Sequence, residues 1–393
     1  MSHSFALERR RMSRRRFLWS TASGLGAMAV MSSPAARMAA DGQTGCDYLK
    51  DLADNWNIVR PMLASRYHRL QHCFFHYVRN NWSGLSDQQQ EGIKALNWAA
   101  PRAALDKAAW DKRAGRTALF WATDNGSGED FLFYHRWMIA MVNEVLAKKG
   151  KGPIQPWSDK DAIPPPKGGC PDEQVPDFTP RFENASDPKK PIDIEWLQLR
   201  VKEMKAPGFF WSKMNWWGQD FRDRGYLKSM TLGELGARLE MGVHNQMHVR
   251  WSAYPSGGSR LIRDEPDFRV KWDGPEYDTL FDEYSSHVGP IFYRLHKWID
   301  NRIEDWAEAH GREVVRASTP HGFDWFQRGR WVDVVKPWTG AWGFEHSSPD
   351  EEKKRVAIML QVKDIMFPPE TALLRVTPAA REQRIISLRD MIM

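Results

Sequence analysis

Apolar residues recur at helical spacing along several stretches of the chain. Two stripes are the most regular: Leu232, Leu235, Leu239 and Val243, and then Ile291, Leu295, Ile299 and Ile303. Both would turn a helix toward an apolar core, and Thr231 and Pro290 suit the starts of these two helices. Helical patterns also cover residues 47–80, 131–147 and 192–205. The sequence therefore predicts a mainly α fold with little β-structure.

Histidines occupy the same predicted helices and form two groups. The groups are His244, His248 and His296, and His68, His72, His76 and His135. His244 and His248 lie four residues apart, so helix geometry puts both on one face. Imidazoles directed into an apolar interior favour a buried metal site. Histidines that are hydrogen-bonded in the core or solvated at the surface are the alternative interpretation.

The candidate ligands are all histidines, and neutral imidazole suits copper, zinc, iron and nickel. Two all-histidine groups on converging helices are what a coupled dicopper site needs. Its ions lie about 3.5–4 Å apart and keep open positions for dioxygen. Zinc with three histidines and a water molecule fits one group equally well. Ligand type alone leaves copper and zinc open.

The first 40 residues differ from the rest of the chain. They carry seven arginines against one glutamate, a net charge of +6, which equals the formal net charge of the whole chain. The remainder is about neutral, so it lacks the basic surplus that binding to nucleic acid needs. Residues 13–18, S-R-R-R-F-L, are similar to the twin-arginine export motif, and a weakly apolar run over 18–31 leads to small residues suited to cleavage.

These features predict a signal peptide over residues 1–40, recognised by the twin-arginine translocation machinery, and a mature protein that is periplasmic or secreted. The apolar run is too short and too rich in glycine and serine to span a membrane permanently, and no later stretch approaches the required length. We therefore expect no stable membrane anchor. A disordered arginine-rich tail is the alternative for this segment.

Residues 152–191 hold ten of the 24 prolines, which predicts a long irregular connection. Such a segment can separate two domains or wrap the surface of one. We favour wrapping, because the histidines on either side belong to one predicted site. The prediction is one domain over residues 41–316, which includes this Pro-rich loop. A C-terminal extension over 317–393, with β-like pieces such as 330–335, is expected to pack on the core.

Three ordered motifs resemble the tyrosinase family. Residues 239–248 and 290–300 read L-E-x-x-x-H-N-x-x-H and P-x-F-x-x-x-H-x-x-x-D, which is similar to that family's second copper half-site. Residues 131–136, F-L-F-Y-H-R, resemble the F-L-P-W-H-R motif that carries the last ligand of the first copper. The resemblance covers about residues 75–310 and leaves the C-terminal extension unexplained.

The resemblance implies a four-helix-bundle core that holds two copper ions. By position it assigns these ligands: His244, His248 and His296 to the second copper, and His135 to the first. Glu240 and Asn245 match the pair that holds a water molecule, which takes the phenol's proton. A solvated carboxylate on the helix face is the alternative for Glu240. Asp300 would either support the last ligand or form a surface ion pair with Lys297 or Arg302.

The first copper site departs from the family pattern, since no histidine lies between Tyr77 and Tyr134. Either its other two ligands come from His68, His72 and His76 on an upstream helix, or the first copper is absent. His72 is followed by cysteine, as is the first ligand in plant polyphenol oxidases, which favours His72. Geometry favours a neighbour on the same stripe as the partner, and we prefer His76 to His68.

The expected function is an exported, copper-dependent phenol monooxygenase and catechol oxidase. It would use O2 to turn small phenolic substrates into catechols and o-quinones. The resemblance to siderophore-maturing periplasmic tyrosinases suggests a role in maturing a natural product. The alternative is a mononuclear or non-catalytic copper-binding protein that keeps only the second copper site. A zinc-dependent periplasmic hydrolase is a third interpretation, and it gives His135 no role.

Overall fold

The part of the protein that a computed structural model describes is mainly helical. It comprises residues 48–82, 85–101, 125–157, 163–166, 174–177, 194–255, 258, 260, 267–312, 338, 340 and 348–368. All of these belong to the second of two units, Met1–Gly45 and Cys46–Met393. No strand occurs among them, so the predicted mainly α fold is confirmed, while the four-helix bundle stays a prediction. The predicted signal peptide and the β-like residues 330–335 lie outside the described residues.

The helices are named in chain order. They are α1 (Tyr48–Leu63), α2 (Arg66–Asn81), α3 (Asp87–Ala95), α4 (Asn125–Lys148), α5 (Ile194–Lys205), α6 (residues 207–220), α7 (Arg224–Lys228), α8 (residues 232–251), α9 (Pro290–Ala309) and α10 (Pro349–Met366). Two 3₁₀ turns, Val270–Trp272 and Ser286–Val288, lie between α8 and α9. Within the described residues, no helix has the length and apolar character needed to cross a membrane.

Helix α8 begins as its sequence predicts. Thr231 and Glu234 cap each other reciprocally, with the Glu234 amide 3.1 Å from Thr231 Oγ1 and the Thr231 amide 2.9 Å from Glu234 Oε2. The apolar stripe of α8 is fully buried, and so is that of α9 apart from the half-buried Ile291. Inside α8, residues Leu239–His244 form a π-helical turn. Such turns place one extra residue in a helix and occur often at functional sites.

Residues 47–80, where the sequence has a helical pattern, form two helices. Helix α1 ends at Leu63, and Ser65 caps α2 with its side chain, which accepts a hydrogen bond from the amide of His68. A serine side chain satisfies an amide that would otherwise be unpaired at a helix start, so it favours a break at this point. The break sets the direction of α2 independently of α1.

Helix α4 begins at Asn125, although residues 124–128 read D-N-G-S-G, a composition typical of a turn. Gly128 serves helix packing instead. A Cβ atom on Gly128 would lie 1.8 Å from the carbonyl oxygen of Gly233, and one on Gly236 would lie 2.1 Å from the carbonyl oxygen of Gly128. The backbones of α4 and α8 therefore touch, which only glycine allows at these positions.

The described pieces of the Pro-rich loop pack against the helical core. Trp157 is fully buried, and its ring centroid lies 4.9 Å from that of Trp251 at the end of α8. Arg294 in α9 donates to the carbonyl oxygens of Pro156 and Trp157, at 3.2 and 2.6 Å. The described beginning of this loop therefore lies against the helical core, while wrapping by the whole loop stays a prediction.

Helix α10 lies in the C-terminal extension, where β-like pieces but no helix were predicted. Its start has ordinary helix signals, because Ser348 caps the amide of Glu351 and acidic residues fill the first turn. Arg355 donates to the hydroxyl of Tyr67 in α2 at 2.9 Å, and Met359 and Val362 are fully buried. This part of the extension thus packs on the first histidine-bearing helix.

Candidate metal centre

Four helices bring the six predicted ligands together. Helix α2 carries His72 and His76, α4 carries His135, α8 carries His244 and His248, and α9 carries His296, and every one of these side chains is buried. The ligand nitrogens form two groups in which all members lie within 4.8 Å of one another. The groups are His72, His76 and His135, and His135, His244 and His296. Histidines from distant parts of the chain therefore share one interior volume.

His135 belongs to both groups and lies between them. Its ring centroid is 5.4 Å from that of His76 in the first group, and 4.3 Å from that of His296 in the second. His248, expected in the second group, lies outside the 4.8 Å set, yet its ring centroid is only 4.3 Å from that of His244. The two predicted half-sites thus adjoin, with His135 closer to the second than the sequence suggested.

Five of the six rings are held in place through Nδ1. The acceptors are the carbonyl oxygens of Glu283 for His72 (2.6 Å), Phe131 for His135 (2.8 Å), Leu280 for His248 (2.8 Å) and Phe292 for His296 (2.7 Å), and Asn245 Oδ1 for His244 (2.8 Å). An oxygen acceptor at Nδ1 requires the proton on that nitrogen. The lone pair is then on Nε2, which is the arrangement that metal-ligating histidines commonly adopt.

The same five Nε2 atoms are buried and meet no hydrogen-bond partner within the described part of the chain. A buried polar atom without a partner costs about 1–3 kcal/mol, so native proteins rarely keep several together. Five such lone pairs directed into one space fit a metal ion that coordinates them. The residues present therefore fit a metal centre, and the buried histidine groups could hold a metal ion.

Burial keeps these imidazoles neutral. It lowers the pKa of His72 to about 4, an effect that the Glu283 carbonyl only partly opposes. The pKa values of the other five lie well below the usual histidine range, mainly through burial and secondly through the neighbouring histidines. Neutral imidazole is the form that binds metal, so no proton need be displaced near neutral pH.

Aromatic side chains close the site against water. Phe292 stacks on His296 with ring centroids 3.7 Å apart and meets His72 and His248 edge-on. Phe131 lies 4.8 Å from the ring of His244, centroid to centroid. The half-buried residues Met241, Gly242 and Asn245 form the less enclosed side.

Two buried ion pairs connect the ligand-bearing helices beside the site. Arg79 in α2 holds both carboxylate oxygens of Glu240 in α8, at 2.6 and 2.7 Å. Arg136 in α4 pairs with Asp300 in α9, which also accepts from Lys297 at 2.8 Å. Burial alone would raise the pKa of Asp300, but Arg136 and Lys297 outweigh it and lower that pKa. Each of the four charged residues in these two pairs lies within about one helical turn of a predicted ligand on its own helix.

The two residues expected to hold a catalytic water have other partners here. Glu240 is buried rather than solvated and is engaged by Arg79, while the Asn245 amide oxygen orients His244. The water-holding role of this pair stays a prediction. For Asp300, the expected pairing with Lys297 is present, the partnership with Arg136 was missed, and the carboxylate is buried rather than at the surface.

His68 does not join either group of ligand nitrogens. Its Nδ1 lies 2.9 Å from the Ser65 hydroxyl at the start of α2. Another buried imidazole, His287, was not foreseen; its ring centroid lies 4.8 Å from that of His72. His287 lies in a short 3₁₀ turn outside any periodic pattern, so nothing in the sequence separated it from a surface histidine.

Compared with known proteins, the sequence matches no family model and no curated protein. The chemistry of the site therefore rests on its own geometry and on the three motifs that resemble the tyrosinase family.

Proposed function

We propose that this protein is an exported, copper-dependent oxidase that uses O2 to convert phenols into catechols and catechols into o-quinones. The observation that carries the proposal is the adjoining pair of buried histidine groups, with five Nε2 lone pairs directed inward. Only imidazole nitrogens make up these groups. Magnesium and calcium would require oxygen ligands instead.

Copper is preferred to zinc because the two groups adjoin and share His135. A catalytic zinc site is satisfied by three ligands and a water, so it would leave the other imidazoles without a role. A pair of copper ions held by His72, His76 and His135 and by His244, His248 and His296 gives each a role. When bound, such a pair would supply the electrons that reduce dioxygen.

The proposal assigns the approach of the substrate to the half-buried residues near His244. A Cβ atom on Gly242 would lie 3.9 Å from the Trp217 ring, and Met241 and Asn245 beside it are half-buried. A phenol approaching from this side would pass Trp217 and reach the second histidine group. Phe131 and Phe292 would keep water from the other sides.

The phenol's proton needs an acceptor, and the proposal assigns it to a water molecule near Glu240 and Asn245. Each oxygen of the Glu240 carboxylate accepts from Arg79 and keeps a further lone pair. Asn245 Oδ1 likewise has capacity beyond its bond to His244. A water between these two residues could therefore take the proton without breaking either contact.

The test is the metal content and spectrum of the purified protein together with oxidation of phenol and catechol. The expected result is two copper ions per chain that are silent in electron paramagnetic resonance because they are coupled, and catechol oxidation that a chelator abolishes. One copper with a normal resonance signal and no oxidation would instead identify the mononuclear copper-binding alternative. Retained zinc without copper would contradict the proposal.

Export is tested separately in the organism. Replacing both Arg14 and Arg15 with lysine should keep the protein in the cytoplasm, because the twin-arginine machinery discriminates against lysine at this pair. A lysine pair elsewhere in the leader, at Arg9 and Arg10, is the matched control and should leave export unchanged. Export of the Arg14/Arg15 variant would contradict this part of the proposal. If export follows the twin-arginine route, the folded, metal-loaded enzyme would act on a phenolic natural product outside the cytoplasm, in the manner of siderophore maturation.

A further inference from the structure

His287 resembles the proposed ligands in having one ring nitrogen that is hydrogen-bonded and one buried nitrogen that is not. In His287, however, Nε2 makes the hydrogen bond and Nδ1 does not. It is completely buried, and its Nε2 lies 3.1 Å from the carbonyl oxygen of Leu63. Its Nδ1 is buried and meets no hydrogen-bond partner among the residues that the structure describes. The proton therefore belongs on Nε2, and an unused lone pair remains on Nδ1. None of the roles assigned above uses this nitrogen.

The nearest proposed ligand is His72. The ring centroids of His287 and His72 are 4.8 Å apart, which matches the 4.9 Å between His72 and His76 within the first group. The Nε2 of His72 is also buried and without a partner in the described part of the chain. Two neutral imidazoles with free lone pairs thus adjoin at the edge of the first group.

We propose that His287 and His72 form a transfer position, which holds a monovalent copper ion before it moves to His72, His76 and His135. Two nitrogen donors suffice for monovalent copper, because this ion accepts linear two-coordination. A divalent ion prefers more ligands, and the buried guanidinium of Arg69 nearby further disfavours the higher charge. This inference rests on the proposed copper function of the site.

His72 belongs to both positions, so the ion can move by exchanging one ligand at a time. The bond to His287 Nδ1 breaks as a bond to His76 or His135 forms, and His72 remains bound throughout. All the nitrogens involved are neutral donors, so no proton is released. The oxidation state of the ion does not change.

The test is the rate at which the full-length, metal-free protein takes up monovalent copper without oxygen, followed by stopped flow against a chromophoric chelator. The variant His287→Gln retains an N–H group that can donate to the Leu63 carbonyl and removes the lone pair at Nδ1. We expect it to bind the same final number of copper ions at a rate lowered by about tenfold or more, comparable to the loss when a supporting group at a metal site is removed. The matched control is His310→Gln, which removes the half-buried histidine at the end of α9 and should load at the wild-type rate.

An unchanged loading rate in His287→Gln would overturn the proposal, as would equal slowing in His310→Gln. If His287→Gln does not fold, nitrogen NMR of the wild-type histidines decides. The His287 Nδ1 resonance should move at less than one equivalent of monovalent copper, before that of His76, and a His287 resonance unmoved throughout the titration would overturn the proposal. Loading does not depend on turnover, so failure of the loaded protein to oxidise catechol would refute the proposed function alone.

Discussion

Asn245 shows how one uncharged side chain can set the chemistry of an imidazole. Its Oδ1 lies 2.8 Å from Nδ1 of His244, where the other ligand rings with a fixed Nδ1 rely on backbone carbonyls. A carbonyl oxygen accepts but does not donate, so it fixes the proton on Nδ1 and leaves Nε2 free for a metal. His244 is thus the proposed ligand whose tautomer a side-chain substitution can change.

Replacing Asn245 with leucine should therefore weaken metal binding by about 10–100-fold, the usual loss when such a supporting partner is removed. Stability should change little, since Asn245 is half-buried. Asn245→Asp is the matched control, because its carboxylate still accepts from Nδ1 and should retain affinity. Competition titration of the metal-free variants measures the effect. Equal affinity in Asn245→Leu and the wild type would show that the ring needs no such partner.

The residue types at the site could be predicted, but their partners could not. Helical spacing brought His72 and His76 onto one face, and the motif placed His135. Arg79 and Glu240, by contrast, are 161 residues apart, and no local pattern indicates which arginine will meet which carboxylate. Pairings of this kind depend on how helices dock, which periodicity does not specify.

At the scale of helices, the Arg79–Glu240 pair fixes α2 against α8. Both side chains are almost completely buried, at 2% and 4% exposure. Arg79→Met would leave the Glu240 carboxylate buried and unpaired, so we expect a loss of about 3–5 kcal/mol in the free energy of unfolding. Combining it with Glu240→Leu removes the stranded charge and should restore much of that loss, as chemical denaturation of the metal-free proteins would show.

The exposed pair of Lys94 and Glu91 provides the control for that experiment. Lys94→Met should change the free energy of unfolding by less than about 1 kcal/mol, since solvent screens the pair. A loss in Arg79→Met no larger than this would mean that Glu240 finds water or another partner, and the double variant would then bring no recovery.

The close approach of α4 and α8 makes a second prediction for helices. Gly236→Ala would push a methyl group against the Gly128 backbone, which cannot move aside as a side chain could. We expect destabilisation of about 1–3 kcal/mol or more, as for other overpacked cores. Gly208→Ala is the control, because nothing lies within 4 Å of its added Cβ and alanine favours a helix. Thermal unfolding of both variants measures the difference, and equal melting temperatures would contradict the packing described.

The same contact explains one failure of sequence interpretation at this scale. Glycines at residues 126 and 128 are typical of a turn, yet residues 125–128 are helical, and Gly128 packs directly on the backbone of α8. Helix caps, in contrast, depend on neighbouring residues alone, and Thr231 acts as predicted. Sequence patterns therefore predicted helix caps, which depend on neighbouring residues, more dependably than helix–helix contacts, which depend on distant ones.

Across the whole molecule, Lys205 joins segments that are far apart in the chain. Its Nζ donates to the carbonyl oxygens of Pro176 in the Pro-rich loop and of Arg250 and Ser252 at the end of α8, at 2.8–3.0 Å. Three acceptors favour the ammonium form. Burial and the charge of Arg250 nevertheless lower the pKa of Lys205 to about 7.

The lowered pKa of Lys205 determines the direction in which the free energy of unfolding changes with pH, and stability measurements can test that direction. An unfolded lysine titrates near pH 10.4, so between about pH 7 and that value the unfolded chain binds more protons than the folded one. The free energy of unfolding should then rise with pH in this window, by up to about 1.4 kcal/mol per pH unit from this group. The buried histidines also make the free energy of unfolding rise with pH up to about pH 8, whereas the buried Cys73 thiol and the buried tyrosines act in the opposite direction above about pH 8.5 and pH 10. The contribution of Lys205 is therefore measured as the difference in slope between the wild type and a lysine variant.

Lys205→Met should remove this rise while leaving the rest of the pH profile unchanged. The variant will be less stable overall, because three carbonyls lose their donor, so the slope is the informative quantity. Parallel profiles for the variant and the wild type would show that the carbonyls keep Lys205 charged throughout.

The π-helical turn at Leu239–His244 has a consequence for how α8 faces the interior. Each residue of a regular α-helix advances about 100° around the axis, so without the turn His244 and His248 would point about 120° and 160° away from Leu232. One additional residue in the turn returns them to about 20° and 60°, on the side where the leucines are buried. Deleting a single residue such as Gly242 should therefore turn this segment into regular α-helix with both histidines still on the leucine side, because positions 11 and 15 residues after Leu232 also lie about 20° and 60° from it. Within α8, the buried leucines and the proposed metal ligands face the same interior because the π-helical turn shifts the second half of the helix relative to the first.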